Sequence, residues 1–136
     1  MDKKKEFIKV IKKNVIPEIK LLGYVGSFPH FRKAEGNSMY FIGFQFGRTS
    51  LIGKLIIELG FVNRKDLSDW AKSLPEEKLN YGFSQKSHRL GSRSEKEDGI
   101  WFDYESLKTE EQIENLSFVI LELFKKEYPE FVKSNA

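Results

Sequence analysis

Residues 39–62, MYFIGFQFGRTSLIGKLIIELGFV, decide the fold. Two runs in this stretch carry apolar side chains at every second position. Ile42, Phe44 and Phe46 do so in the first, Leu55, Ile57, Leu59 and Phe61 in the second. Successive side chains of an extended strand point to opposite faces of a sheet. The stretch therefore predicts two adjacent strands, 39–46 and 54–62, joined by a polar loop and presenting one continuous apolar wall.

Upstream, Phe7, Ile8, Ile11, Val15, Ile19 and Leu22 recur at spacings of three and four, the stripe of an amphipathic helix over 3–22. Pro17 removes a backbone donor and crowds the turn before it, which predicts a kink or break near residues 14–16. Gly23 is placed to stop the helix as a left-handed cap. Residues 28–33 read as a strand that Pro29 assigns to a sheet edge, and Glu35-Gly36-Asn37 as a turn.

Downstream, 66–74 reads as a short helix capped by Asp66 or Asn63 and ended by Pro75. A short strand is expected over 87–90 and a charged turn over 92–99. Residues 100–104 read as a strong strand, with Ile100, Phe102 and Tyr104 facing one way and Trp101 and Asp103 the other. Thr109 followed by Gln112 forms a capping box. It opens a helix with the stripe Ile113, Leu116, Ile120, Leu123 and Phe124, expected to end near Pro129. The pattern is α+β: a single domain over 1–136, with an antiparallel sheet of about four to five strands and both terminal helices packed on one face.

Composition narrows the function classes. The 136 residues contain no cysteine, which excludes disulfides, thiol catalysis and thiolate metal sites. The stretch MDKKKEFIKVIKKNVIP has lysines spread through its apolar residues and reads as neither a signal peptide nor a membrane span, so the expectation is a cytoplasmic protein without a membrane partner. The 23 basic and 20 acidic residues leave a net charge of +3, which permits a polyanionic partner without demanding one.

The order of NVIPEIKLLGY, FIGFQ, IIELGF, HRLG and GIWFDY resembles bacterial proteins of the domain of unknown function 4304 family, over most of the chain. That family is uncharacterised. The resemblance implies a compact α+β domain and no activity, and it marks Gln45, Arg89 and Trp101 as positions inside the shared motifs.

No residue pattern points to chemistry. Gly43, Gly47 and Gly53 lack phosphate-loop or dinucleotide spacing, no serine occupies a nucleophile elbow, and the carboxylate pairs lie at helix starts and in a charged loop. His30 and His88 have no partner ligands at metal-binding spacing. No catalytic residue, metal or cofactor is assigned. The expected binding residues are Phe41, Gln45 and Trp101 on the outer side of the sheet, with Arg89 and His88 at its rim. His30 and His88 read first as structural or solvent-exposed histidines, the alternative for His88-Arg89 being half of an anion site with Arg93. The outer side has three readings: an open interaction surface, a second core covered by the Trp70 helix or by 75–99, which solubility favours, and a dimer face. Gln45 has a plainer reading, a cross-strand bond to Glu58 or a loop carbonyl.

The function expected is a non-catalytic protein-interaction module, acting as a monomer or homodimer with an unidentified protein partner. Its more specific form is an immunity-type protein that neutralises a toxin. The alternative is a nucleic-acid or polyanion binder using the lysines of the first helix with Arg32, Lys33, Arg48, Lys54, Arg89 and Arg93. An enzyme of unrecognised type is the third reading.

Overall fold

A computed structural model describes residues 1–92 and 99–136 of the chain. Two helices, α1 (Lys3–Asn14) and α2 (Ile16–Leu21), precede strands β1 (Val25–Ser27), β2 (His30–Glu35), β3 (Ser38–Phe46) and β4 (Lys54–Asn63). A short helix α3 (Asp69–Lys72), strands β5 (Lys86–Arg89) and β6 (Phe102–Asp103), and a long helix α4 (Glu110–Ser134) follow. All strand pairs are antiparallel in the order β1-β2-β3-β4-β5, and β6 extends the sheet beside the start of β4. The α+β architecture is as the sequence predicts, with six strands.

The β3–β4 ladder runs from Ser38 opposite Asn63 to Phe46 opposite Leu55. Its inner face carries Tyr40, Ile42, Phe44, Leu55, Ile57 and Leu59, which pack with Phe7, Ile11, Ile19, Ile113, Ile120 and Phe124 of the helices. This is the apolar wall expected from the alternation, and α1 and α4 cover it.

The predicted break in the first helix falls at Val15, where Pro17 sits in the first turn of α2. Asn14 latches the break. Its Nδ2 donates to Ser117 Oγ at 2.9 Å and to Glu114 Oε2 at 3.3 Å, and Lys13 Nζ pairs with Glu114 at 3.0 Å. Ser117 is fully buried near the start of α4, and its hydroxyl donates to the Glu114 carbonyl at 2.6 Å. Lys13 and Asn14 hold the Glu114 carboxyl below its usual range, so this contribution is lost in acid. Gly23 ends α2 at φ +95°, as a left-handed cap requires.

Four local expectations are corrected. β2 is not an edge strand: Pro29 lies in the turn before it, and β1 takes the edge. The cap of α3 is Ser68, whose hydroxyl accepts from Ala71 N, while Asn63 caps the preceding turn at Arg64–Asp66. The strand expected over 100–104 pairs only at Phe102 and Asp103. Finally, α4 passes through Pro129 and ends five residues later. A proline inside a helix costs about 3 kcal/mol. Continuing the helix buries Phe131, 8% exposed, in the main core, and burial of a large apolar side chain recovers about 1.5–3 kcal/mol. The capping box of Thr109 and Gln112 is formed as predicted. The part of the charged turn between residues 92 and 99 lies outside the described residues. Among the described residues, no helix is long and apolar enough to cross a membrane.

Tyr24 is 3% exposed, and its hydroxyl donates to the hydroxyl of Tyr128 at 3.1 Å, joining the end of the first helical layer to α4. Burial pushes the Tyr24 phenol far above its ordinary value of 10.0, and the adjacent Tyr128 adds to the shift. The unfolded chain ionises first, so this contribution is complete below about pH 10 and declines as the pH rises beyond it. Burial also raises Tyr40, Tyr81 and Tyr104, in the same direction. Denaturant titrations in steps from pH 9 to 11.5 should show stability falling above about pH 10. Tyr24→Phe should make that decline shallower while lowering stability near neutral pH by about 1 kcal/mol, the share of one hydrogen bond.

Candidate functional site

The outer face of the sheet is defined by register. Across β2, β3, β4 and β5, one outward row is His30, Gly43, Glu58 and Arg89, and the next is Arg32, Phe41, Gly60 and Ser87. A third row joins Gln45 to Ile56. Phe102 pairs with Leu55 on the inner side, so one residue back the chain places Trp101 outward beside Ile56.

This face is divided into two halves. The half at Met39, Phe41, Gly60 and Val62 is a second core, closed by Leu79 with Leu67, Leu74, Tyr81 and Phe83 packed against it. Two glycines let the covering segment lie on the strands. A β-carbon at Gly43 would strike the Tyr81 ring, and one at Gly60 would strike Ser84 Oγ. Phe41 is 1% exposed, so its expected role as a surface contact is corrected: it is a core residue under the 67–83 segment. The covered reading of the outer side therefore holds for this half.

The other half is not closed by that segment. Gln45 is exposed, while Glu58, Arg89 and Trp101 are half-buried. Glu58 and Arg89 are direct cross-strand neighbours. Their charges reach the Tyr81 hydroxyl: burial raises that phenol, Glu58 raises it further and Arg89 opposes both. The Tyr81 ring stacks on His30 at 5.6 Å, closing the row on the β2 side. Gly99, at φ +78°, lets the returning chain cross Arg89, whose Cβ a glycine side chain would strike. Among the described residues, the side chains of Gln45, Glu58 and Arg89 make no hydrogen bond or ion pair, so the cross-strand bond considered for Gln45 is not formed.

Three of the five expected binding residues, Gln45, Arg89 and Trp101, thus share one half-face. His88 does not. Adjacent strand residues point to opposite sides, and His88 faces the helices, where its Nε2 donates to Glu127 Oε1 at 2.5 Å. A carboxylate accepts only, so the proton is on Nε2. Glu127 also accepts from Gly91 N at 2.9 Å, which ties β5 and the turn after it to α4. The paired His88-Arg89 anion site is corrected on this geometry, and its third member, Arg93, lies outside the described residues. Sequence reasoning missed Glu58 and Tyr81 as neighbours of Arg89. The signal for Glu58 was its outward parity on β4; nothing local placed Tyr81 over Gly43. Among the described residues, no group of three His, Asp or Glu is placed to hold a metal ion.

No protein-family model matches the chain, and neither curated proteins nor solved structures yield a match to it.

Phe41 and Gln45 separate the two halves experimentally. Phe41→Ala should destabilise by about 3–5 kcal/mol, whereas Gln45→Ala should change stability by no more than about 0.5 kcal/mol. Equilibrium urea unfolding of both variants measures the contrast.

Proposed function

We propose that the protein is a non-catalytic interaction module that holds a protein partner on the Gln45–Trp101 half of its outer sheet face. The observation that carries this reading is the grouping of an exposed amide (Gln45), a half-buried indole (Trp101) and an Arg–Glu pair of neighbours (Arg89, Glu58), with the side chains of Gln45, Arg89 and Glu58 making no hydrogen bond or ion pair among the described residues. Trp and Arg are the residue types that most often anchor protein interfaces, and amide and charged groups around them set register and exclude water. Ile52, 72% exposed in the turn between β3 and β4, adds apolar area at the same end of the sheet. A toxin-neutralising, immunity-type role is the specific form of this proposal.

Polyanion binding is the weaker reading. Lys4, Lys12 and Lys20 lie over the rings of Phe46, Phe28 and Phe31, so part of the basic helix surface is engaged with the sheet's own aromatics. Pull-down from a bacterial lysate, untreated and treated with nuclease, with wild type, Trp101→Ala and Lys12→Ala as baits, tests the choice. The expected result is a discrete protein retained by wild type and by Lys12→Ala and reduced at least about tenfold by Trp101→Ala, the loss typical of an anchor residue. Retention of nucleic acid alone, abolished by nuclease, would overturn the proposal.

A further inference from the structure

A concave site lies at the β1–β2 end of the outer face, away from Trp101. Its volume is about 330 Å³, and Gly26, Ser27, His30, Arg32, Glu77 and Asn80 line it. The strands form the floor, and the chain between Pro75 and Tyr81 forms the roof. This size is at the lower end of small-ligand pockets.

Arg32 is the distinctive group. Its Nε is shielded from solvent and has no acceptor among the described residues, and its guanidinium makes no ion pair with them. Its Nη1 lies over Gly26, where the missing β-carbon leaves the pocket wall open. A half-buried guanidinium that forms no ion pair among the described residues carries a desolvation cost that is not fully offset. Gly26 is held at φ +112°, and a β-carbon there would strike the His30 carbonyl. The wall beside Arg32 is therefore built by a residue that only glycine can supply without strain.

The geometry points to a binding site for a small monocarboxylate, with the Arg32 guanidinium taking the carboxylate and the Ser27, His30 and Asn80 side chains within the same pocket to engage the rest of the ligand. A planar carboxylate matches the donor fork of a guanidinium. Arg32 is the one Lys or Arg among the pocket residues, and the Glu77 carboxylate shares the pocket. Arg32 therefore supplies the single fixed positive charge that faces a carboxylate, and the neighbouring Glu77 carboxylate repels a phosphate dianion more strongly than a monoanion. The inference does not depend on a protein partner at Trp101.

The experiment is an amide NMR titration of the full chain with benzoate and with acetate, using inorganic phosphate as the comparison anion. The expected result is saturable shifts of Gly26, Ser27 and Asn80 with either carboxylate, and weaker ones with phosphate. Arg32→Gln should abolish the shifts. Arg32→Lys keeps the charge but loses the fork, and should weaken binding about tenfold. Arg32→Lys also serves if the glutamine variant fails to fold. Absence of saturable shifts in the wild type, shifts unchanged in both Arg32 variants, or tighter binding of phosphate than of either carboxylate would overturn the assignment. Trp101→Ala should leave the titration unchanged, which separates this site from the protein-binding face.

Discussion

The pairing of β3 with β4 is the constraint on which the rest of the structure depends. Nine residue pairs in one register set which side chains face the helices and which face outward. A slip of one residue would turn Phe44, Leu55, Ile57 and Leu59 away from the main core and present Gln45 and Glu58 to it. The cost of burying those polar groups unpaired, together with the lost apolar contacts, fixes the register. Every element then docks on one side or the other of this ladder.

On the inner side, the helices are positioned by apolar packing and then tied by a few polar contacts. Asn14 and Lys13 join the helix break to α4 near its start, the Tyr24–Tyr128 bond joins the end of α2 to α4 further along, and His88–Glu127 joins β5 to α4. The first helical layer and α4 consequently run in the same direction across the sheet. The Asn14–Ser117 and Tyr24–Tyr128 hydrogen bonds contribute about 1 kcal/mol each, less than the apolar burial around them, and the polar ties act chiefly to fix alignment.

On the outer side, the decisive features are two missing side chains. Gly43 and Gly60 leave room for Tyr81 and Ser84, so the segment after α3 can lie on the sheet and bury Phe41. Where the segment ends, the sheet surface changes from apolar to polar within one row. That boundary separates the stability of the second core from the side chains of Gln45, Glu58 and Arg89, which form no hydrogen bond among the described residues. The Arg32 pocket lies along the same boundary on the β2 side, under the edge of the covering segment.

The α+β class, the inner wall, the break before Pro17, the Gly23 cap and the Thr109 capping box were legible in the residues, because each follows from periodicity or from backbone chemistry within a few positions. The outward parity of Gln45 and Trp101 was legible for the same reason. The fate of Phe41 was not: the same alternation is produced by a solvated face and by one covered from residues some forty positions away. The opposite orientations of His88 and Arg89 became clear only once β5 paired with β4. The passage of α4 through Pro129 required the main core to receive Phe131, and Tyr81 reached Gly43 only through the folded path of the 64–85 segment. Local sequence determined which surfaces this protein must bury; only the tertiary structure decided what buries them, because burial is a property of distant segments meeting and leaves no trace in the spacing of either one.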